Sequence, residues 1–506
     1  MYILALSQGN FKMEKKEELS TVRIKKIVLK NFKSVEHGEI VLPCGKSFVP
    51  ANTKSDILGV YGQNGSGKTA LIEALRIMRQ VVRGYRIPPV YAECINVNTN
   101  ISELEFWFDM QWPDGICADI VYKFTIETAP NDIQDEEVAA VNEMFHFKQK
   151  VVISKENLSY RLIKPEKANM KVLFNINSED ETIRSTPSMK NLFSESAWKT
   201  LSSELGLNRR IAERESRSTF FYSFRDIDKA GNKESIEYKI IRDLVLYATA
   251  YLVVIDTKSF GIIQTQLLHT IYDETGIPYS SCVDGLLIEE EKYNSFKSNI
   301  AYISNVINTI IPNTSLTTKD IGKQIHNNRE YLLEDIICTR IDENGKETSV
   351  PLKYESDGVR RIVSFILCYV SAFNQKSFTL AIDEIDSGIF EYLLGELLQA
   401  FEESGKGQLI FTSHNLRPLE VISKDSIYFT TTNSENRYVQ MKGVHSTNNL
   451  RNLYFREILT NSTQNEELYS GAKRYRLVNQ IRQTGAQIEA KLEAKYEQAE
   501  NNNNPS

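Results

Sequence analysis

Eight consecutive residues, Gly62-Gln63-Asn64-Gly65-Ser66-Gly67-Lys68-Thr69, satisfy the pattern G-x-x-x-x-G-K-[ST] at every fixed position. Glycines at this spacing let successive backbone N–H groups curl around an anion, and a helix starting there points its positive end at it. Asn64, Gly65, Ser66 and Gly67 would line the phosphates of a nucleotide, Lys68 would reach the terminal ones, and the Thr69 hydroxyl would bind Mg2+. Far downstream, the apolar residues 378–382 end in Asp383-Glu384. There Asp383 would hold Mg2+ through its water shell and Glu384 would polarise an attacking water, because phosphoryl transfer needs mainly positioning and charge stabilisation. Each signal has a plainer reading, a glycine turn or a helix N-cap. Their combination points to binding and hydrolysis of ATP with Mg2+.

Two more constellations fit this chemistry. Ser413-His414-Asn415 closes the apolar segment LIFTSHN, which puts the His414 imidazole at a strand end, where it suits contact with a γ-phosphate or the attacking water. A polar strand terminus is the plain alternative. Tyr354-Glu355-Ser356-Asp357-Gly358-Val359-Arg360-Arg361 opens an amphipathic segment, with Ser356 and Gly358 at the start of the expected helix. That layout binds phosphate, and it also describes an ordinary capped helix.

These residues need strands and helices to hold them. Residues 57–61, ILGVY, form a short continuous apolar run that leads directly into the glycine loop, as a strand covered on both faces would. Upstream, VRIKKIVLK at 22–30 and residues 39–42 read as a hairpin with one buried face. From 82 to 184 the pattern is strand-like, with Pro113-Asp114-Gly115 as a turn, and predicts an antiparallel sheet beside the nucleotide core. From 185 to 311 the period shifts toward 3.6, with helices expected at 246–254, 259–274 and 287–311 and a loop or arm at 208–233. Strands resume at 331–341 and 347–352 around Asn344-Gly345. Strand and helix then alternate from 354 to 443, which builds a parallel sheet with crossover helices. Residues 466–500 read as one long helix with a basic first half, followed by NNNNPS.

The order of phosphate loop, long insertion, Ser-x-Gly helix, Asp-Glu strand and Ser-His strand resembles the ABC-type ATPase head of RecF-like and structural-maintenance-of-chromosomes-like proteins. More closely, it is similar to bacterial ATPases of abortive infection and antiphage defence, with an AbiL-like or AAA_15-type head. IKKIVLKNFKSVEHGEIVL, GVYGQNGSGKTALIEAL, ESDGVRR and IDEIDSGIFEYLLGELL carry the likeness, over about the first 80 residues and roughly 354–419. The resemblance implies ATP sandwiched between two head-to-tail copies. Ser356 and Gly358 would then cap in trans the γ-phosphate held by the partner's loop, residues 386–388 would join the two sites, and His414 would be the switch histidine. Asp357 stands where relatives carry a glycine, Phe390 where many carry a histidine, and Gln111 is left unassigned as a completion of the Mg2+ shell.

The expected fold is α/β. It comprises an ABC-type P-loop ATPase head with a parallel core and an antiparallel lobe, a large mainly helical insertion and a C-terminal helical tail. The expected divisions are an extension at 1–20, the first part of the head at 21–184, the insertion at 185–325, the second part of the head at 326–450, the tail at 451–500, and disorder at 501–506.

Composition narrows the function. The 506 residues hold 60 Lys plus Arg against 66 Asp plus Glu, a formal net charge of -6, so the chain as a whole is not a basic nucleic-acid coat. The six cysteines form no CxxC and are expected to be reduced and buried. No run is apolar enough to cross a membrane, and the first twenty residues do not read as a signal peptide, so a cytoplasmic location is expected. The resemblance makes the expected function that of an ATP-hydrolysing sensor or scaffold in antiphage defence. It would assemble as a dimer or higher homo-oligomer, control a separate effector such as a nuclease, and respond to a nucleic-acid or phage-protein trigger. The alternative is a RecF- or SMC-like repair or chromosome ATPase that grips DNA in its ATP-closed dimer.

Overall fold

The computed structural model describes residues 20–46, 55–96, 98–130, 149–164, 168–177, 186–193, 195–223, 231–256, 286–289, 293–326, 329–441, 450–460, 468 and 474–503. Strand β1 (Thr21–Phe32) buries Ile24, Ile27 and Leu29 and turns tightly into β2 (Val35–Val41). Strand β3 (Asp56–Tyr61) and helix α1 (Lys68–Val82) intervene before β4 (Ile101–Gln111), which pairs with the other edge of β1. Strands β5 (Cys117–Pro130), β6 (Gln149–Lys164) and β7 (Lys171–Asn177) complete an antiparallel sheet of order β2-β1-β4-β5-β6-β7.

Among its described residues, the segment expected as a helical insertion holds three long helices: α2 (Glu195–Arg214), α3 (Ile236–Leu246) and α4 (Tyr293–Ile310). It also holds strands. Helix α3 ends at Leu246, a π-helical turn spans Tyr247–Tyr251, and the chain then extends as β8 (Leu252–Ile255). Four buried apolar residues rich in Val and Ile fit a covered strand as well as a helix, so periodicity alone cannot separate the two. Strand β9 (Leu286–Glu289) and β10 (Thr314–His326) flank β11 (Arg329–Ile341), whose far end pairs with β12 (Glu347–Pro351) in a second antiparallel sheet. Residues 208–214, expected as loop, continue α2, and the helix expected at 259–274 lies outside the described residues.

Helix α5 (Asp357–Asn374), β13 (Thr379–Ile382), α6 (Glu391–Ser404), β14 (Gln408–Ser413), β15 (Ile427–Thr430) and β16 (Tyr438–Val439) follow. The third sheet runs β16-β15-β3-β14-β13-β8, parallel except for the terminal β16. Strands β3, β8, β13, β14 and β15 are buried along their whole length and mostly apolar, because both faces are covered. Leu58, Val60, Ala381, Ile410 and Val254 face the core that contains α1 and the first sheet; Ile57, Tyr61, Leu380, Ile382 and Phe411 face the core that contains α5 and α6. Polar bonds tie the first sheet to the third. The Gln408 amide accepts from Ile24 N (2.9 Å) and donates to Ile24 O (2.8 Å), and buried Arg23 donates to Lys376 O (3.0 Å) beside Asp56. Helix α7 (Leu450–Thr460) and α8 (Arg474–Asn503), exposed over residues 476–491, end the described chain, α8 running three residues into the asparagine tract. The five described cysteines are buried and form no disulfide with one another; Cys282 lies outside the described residues.

Candidate active site

Strand β3 delivers the chain to the glycine loop, and Gly67, at φ 95°, caps the start of α1. Gly65, at φ 76°, also takes the left-handed conformation that side chains disfavour. The Ser66 hydroxyl bonds Thr430 Oγ1 on β15 at 2.5 Å, and the Lys68 ammonium donates to the carbonyls of Gly62 (2.8 Å) and Gln63 (2.9 Å). The lysine is thus folded over its own loop. Burial lowers its pKa, and the negative charges of Asp383, Glu384 and Asp386 oppose that shift. Asn64 and Gly65 are exposed, and Thr69 lies in the first turn of α1, half-buried.

Strands β13 and β14 are parallel neighbours, and the acidic pair and His414 follow their ends. Asp383 is buried, and its Oδ1 accepts from Thr412 Oγ1 at 2.5 Å. The same hydroxyl accepts from Glu384 N at 2.8 Å. Glu384 adopts φ 48°, an unusual conformation for a non-glycine residue that costs roughly 1–2 kcal/mol and persists only where neighbours impose it. Its carboxylate points out, with His414 Nε2 3.9 Å from Glu384 Oε1, each side chain about two-fifths exposed. The Asp386 carboxylate accepts from His414 N (3.2 Å) and Asn415 N (3.0 Å), so the loop after the acidic strand fixes the loop that carries the histidine. The structure therefore brings Asp383, Glu384 and His414 together at adjacent strand ends, with the Lys68 side chain close enough to feel their charge.

Ser356 and Gly358 contribute differently. The Ser356 hydroxyl accepts from Val359 N as an N-cap. A Cβ at Gly358 would lie 2.3 Å from Gly388 O, so the start of α5 packs backbone to backbone on the loop after the acidic strand. Asp357 pairs with Arg360, which offsets its charge where a phosphate would approach. Arg361 is fully buried, and its guanidinium donates to the carbonyls of Asp383 (2.8 Å), Glu384 (3.4 Å) and Asp256 (3.4 Å).

Thr412, Arg361 and Asp256 escaped the sequence reading. Thr412 was legible as a hydroxyl two residues before His414. Arg361 was visible only as a departure from a motif. Asp256 follows β8, which pairs with β13 in register Ile255 to Ile382, so it sits at the strand end next to Asp383 and is held by Arg76 of α1. Gln111 lies on β4 in the first sheet, where its amide donates to Asp109. Thr69 and Asp383 are hard oxygen donors of the kind Mg2+ prefers. Among the described residues no group of three or more His, Cys, Asp and Glu side chains could hold a metal unaided, so phosphate and water oxygens would have to complete the shell.

A family profile described as an AAA ATPase domain matches residues 23–417. No curated protein sequence matches the chain. Among solved structures, the chain is similar to the Smc head bound to the C-winged helix domain of ScpA (12% identity, TM-score 0.37, 83% of this chain and 97% of that one). It is also similar to the SMC head domain from Thermotoga maritima (12%, 0.32, 83% and 99%). A third is the recombination mediator RecF with ATPrS (13%, 0.30, 80% and 97%). Among the described residues no helix is long and apolar enough to cross a membrane.

Proposed function

The chain belongs to the AAA ATPase domain family, and from that premise we propose that it hydrolyses ATP between two head-to-tail copies as the control component of an antiphage defence system. One observation carries the hydrolytic assignment: Thr412 bonds both the Asp383 carboxylate and the Glu384 N–H, and so holds a metal-binding group and a water-activating group in fixed relation. Thr69 and Asp383 would hold Mg2+, which neutralises charge on the transferred phosphoryl group. Lys68 exchanges the carbonyls of Gly62 and Gln63 for phosphate oxygens, a charge-assisted contact stronger than those it gives up. Glu384 accepts the proton of the attacking water, and His414, beside it, donates to the γ-phosphate or the water.

Ser356 and Gly358 begin a helix whose first N–H groups suit the γ-phosphate bound by a second copy. The defence role is supported by the motif resemblance in residues 24–42, 59–75, 355–361 and 382–398, and it assigns toxicity to a separate effector such as a nuclease. Phage challenge of cells carrying the intact gene neighbourhood tests it. Protection should be lost in Lys68→Ala, and equal plaque counts with and without the substitution would remove the defence role. Affinity purification of Glu384→Gln with ATP should recover a protein effector. Duplex DNA alone would instead support a RecF-like clamp.

A further inference from the structure

Helix α8 (Arg474–Asn503) is exposed at every residue from 476 to 491, although Leu477, Ile481 and Ile488 are 54%, 62% and 54% exposed. At about 100° per residue these three and Thr484 fall within roughly 60° of arc, and the sequence continues the stripe at Leu492. The stripe reads the same in both directions. Leu477, Ile481 and Thr484 are spaced four and three; Leu492, Ile488 and Gly485, read backwards, are spaced four and three as well. A two-fold axis between Thr484 and Gly485 therefore maps the stripe onto itself.

We infer that α8 pairs with α8 of a second copy, antiparallel, about that point. Gly485 supports a close crossing there. Glycine is among the poorest helix formers, a Cβ at Gly485 would meet nothing within 4 Å beyond its own neighbours and helix backbone, and a residue without a side chain lets two helices approach. Charge selects the direction. Arg482 follows Ile481, and Glu489 follows Ile488 on the same flank, so the two-fold places Arg482 beside Glu489 of the second copy, twice. A parallel pair would instead put the Arg482 and Glu489 flanks of the two copies on opposite sides of the seam, where neither bridge can form. This pairing needs no nucleotide and stands apart from the ATPase reading. Where that reading holds, it also keeps two heads at high mutual concentration between rounds of closure.

The test uses the full chain carrying Lys68→Ala, without nucleotide, with mass followed by sedimentation and light scattering. A concentration-dependent dimer is expected, and Ile481→Glu should return it to the 57.9 kDa monomer. Arg482→Glu alone or Glu489→Arg alone should weaken the dimer on the order of tenfold, and the double reversal should restore it. These positions are exposed, so the variants fold. A monomeric parent chain, a dimer indifferent to Ile481→Glu, a double reversal no better than the single changes, or a monomer that binds duplex DNA through Arg482 would each overturn the pairing.

Discussion

The guanidinium of Arg361 donates to the main-chain oxygen of Asp383 at 2.8 Å, from a helix whose first turn carries Ser356 and Gly358. The helix that would face one nucleotide is thereby tied to the backbone that carries Glu384, the proposed water-activating carboxylate. With the contact of Gly358 on Gly388, this gives the N-terminal end of α5 two links to the acidic strand end.

Arg361 is accordingly a positioning residue. Hydrogen bonds from a charged group contribute about 1.5–3 kcal/mol, so Arg361→Gln should lower kcat on the order of tenfold or more. The affinity for nucleotide should change little, because Lys68 and the glycine loop are untouched. Arg361→Lys should recover part of kcat. Steady-state turnover beside equilibrium nucleotide binding separates the cases, and a parallel loss of both would reduce Arg361 to a folding role.

Gly358→Ala should push α5 off its loop. The added Cβ meets a backbone oxygen at 2.3 Å, and overpacking of this kind costs about 1–3 kcal/mol. Turnover per head should drop even where the melting temperature falls only slightly. Unchanged activity would show that the contact is dispensable.

Glu384→Gln should bind ATP and accumulate the closed assembly, seen as a nucleotide-dependent rise in mass, whereas Lys68→Ala should bind none. Glu384→Gln with normal turnover would sink the assignment of the water-activating group, and Lys68→Ala with normal turnover would sink that of the loop.

Stability should fall as pH rises through neutrality. Glu156 is fully buried in the first sheet, where burial raises its carboxyl to about 7 against the hydrogen bonds from Ser218 Oγ (2.9 Å) and Thr219 N (2.8 Å). An acid whose folded pKa lies above its unfolded value, 4.5, binds more protons when folded. Its contribution is therefore complete below pH 4.5 and is lost between there and about 7, a change on the order of 3 kcal/mol. Melting curves at pH 6 and pH 8 should differ in that direction, and Glu156→Gln should narrow the gap. A gap that the substitution leaves intact would assign the effect to other groups.

Much of the candidate site was legible because the chemistry proposed for it demands fixed local spacing. The glycine loop, Asp383-Glu384 and His414 each lie where a buried strand ends, and apolar runs bounded by polar residues announce such ends in one dimension. Strand β8 was not legible as a strand, because Leu252–Ile255 follow a helix without a break in hydrophobicity. Asp256 was missed with it.

By itself, then, the sequence determined which residues could bind phosphate, metal and water, since backbone curvature and side-chain type are local properties. Only the tertiary structure decided which of them act together. Thr412 and Arg361 have no motif of their own, and their roles arise from hydrogen bonds across 22 to 29 residues of chain between β14, α5 and the end of β13. Such bonds exist only once strand order, register and helix packing bring those side chains within hydrogen-bonding reach of their partners.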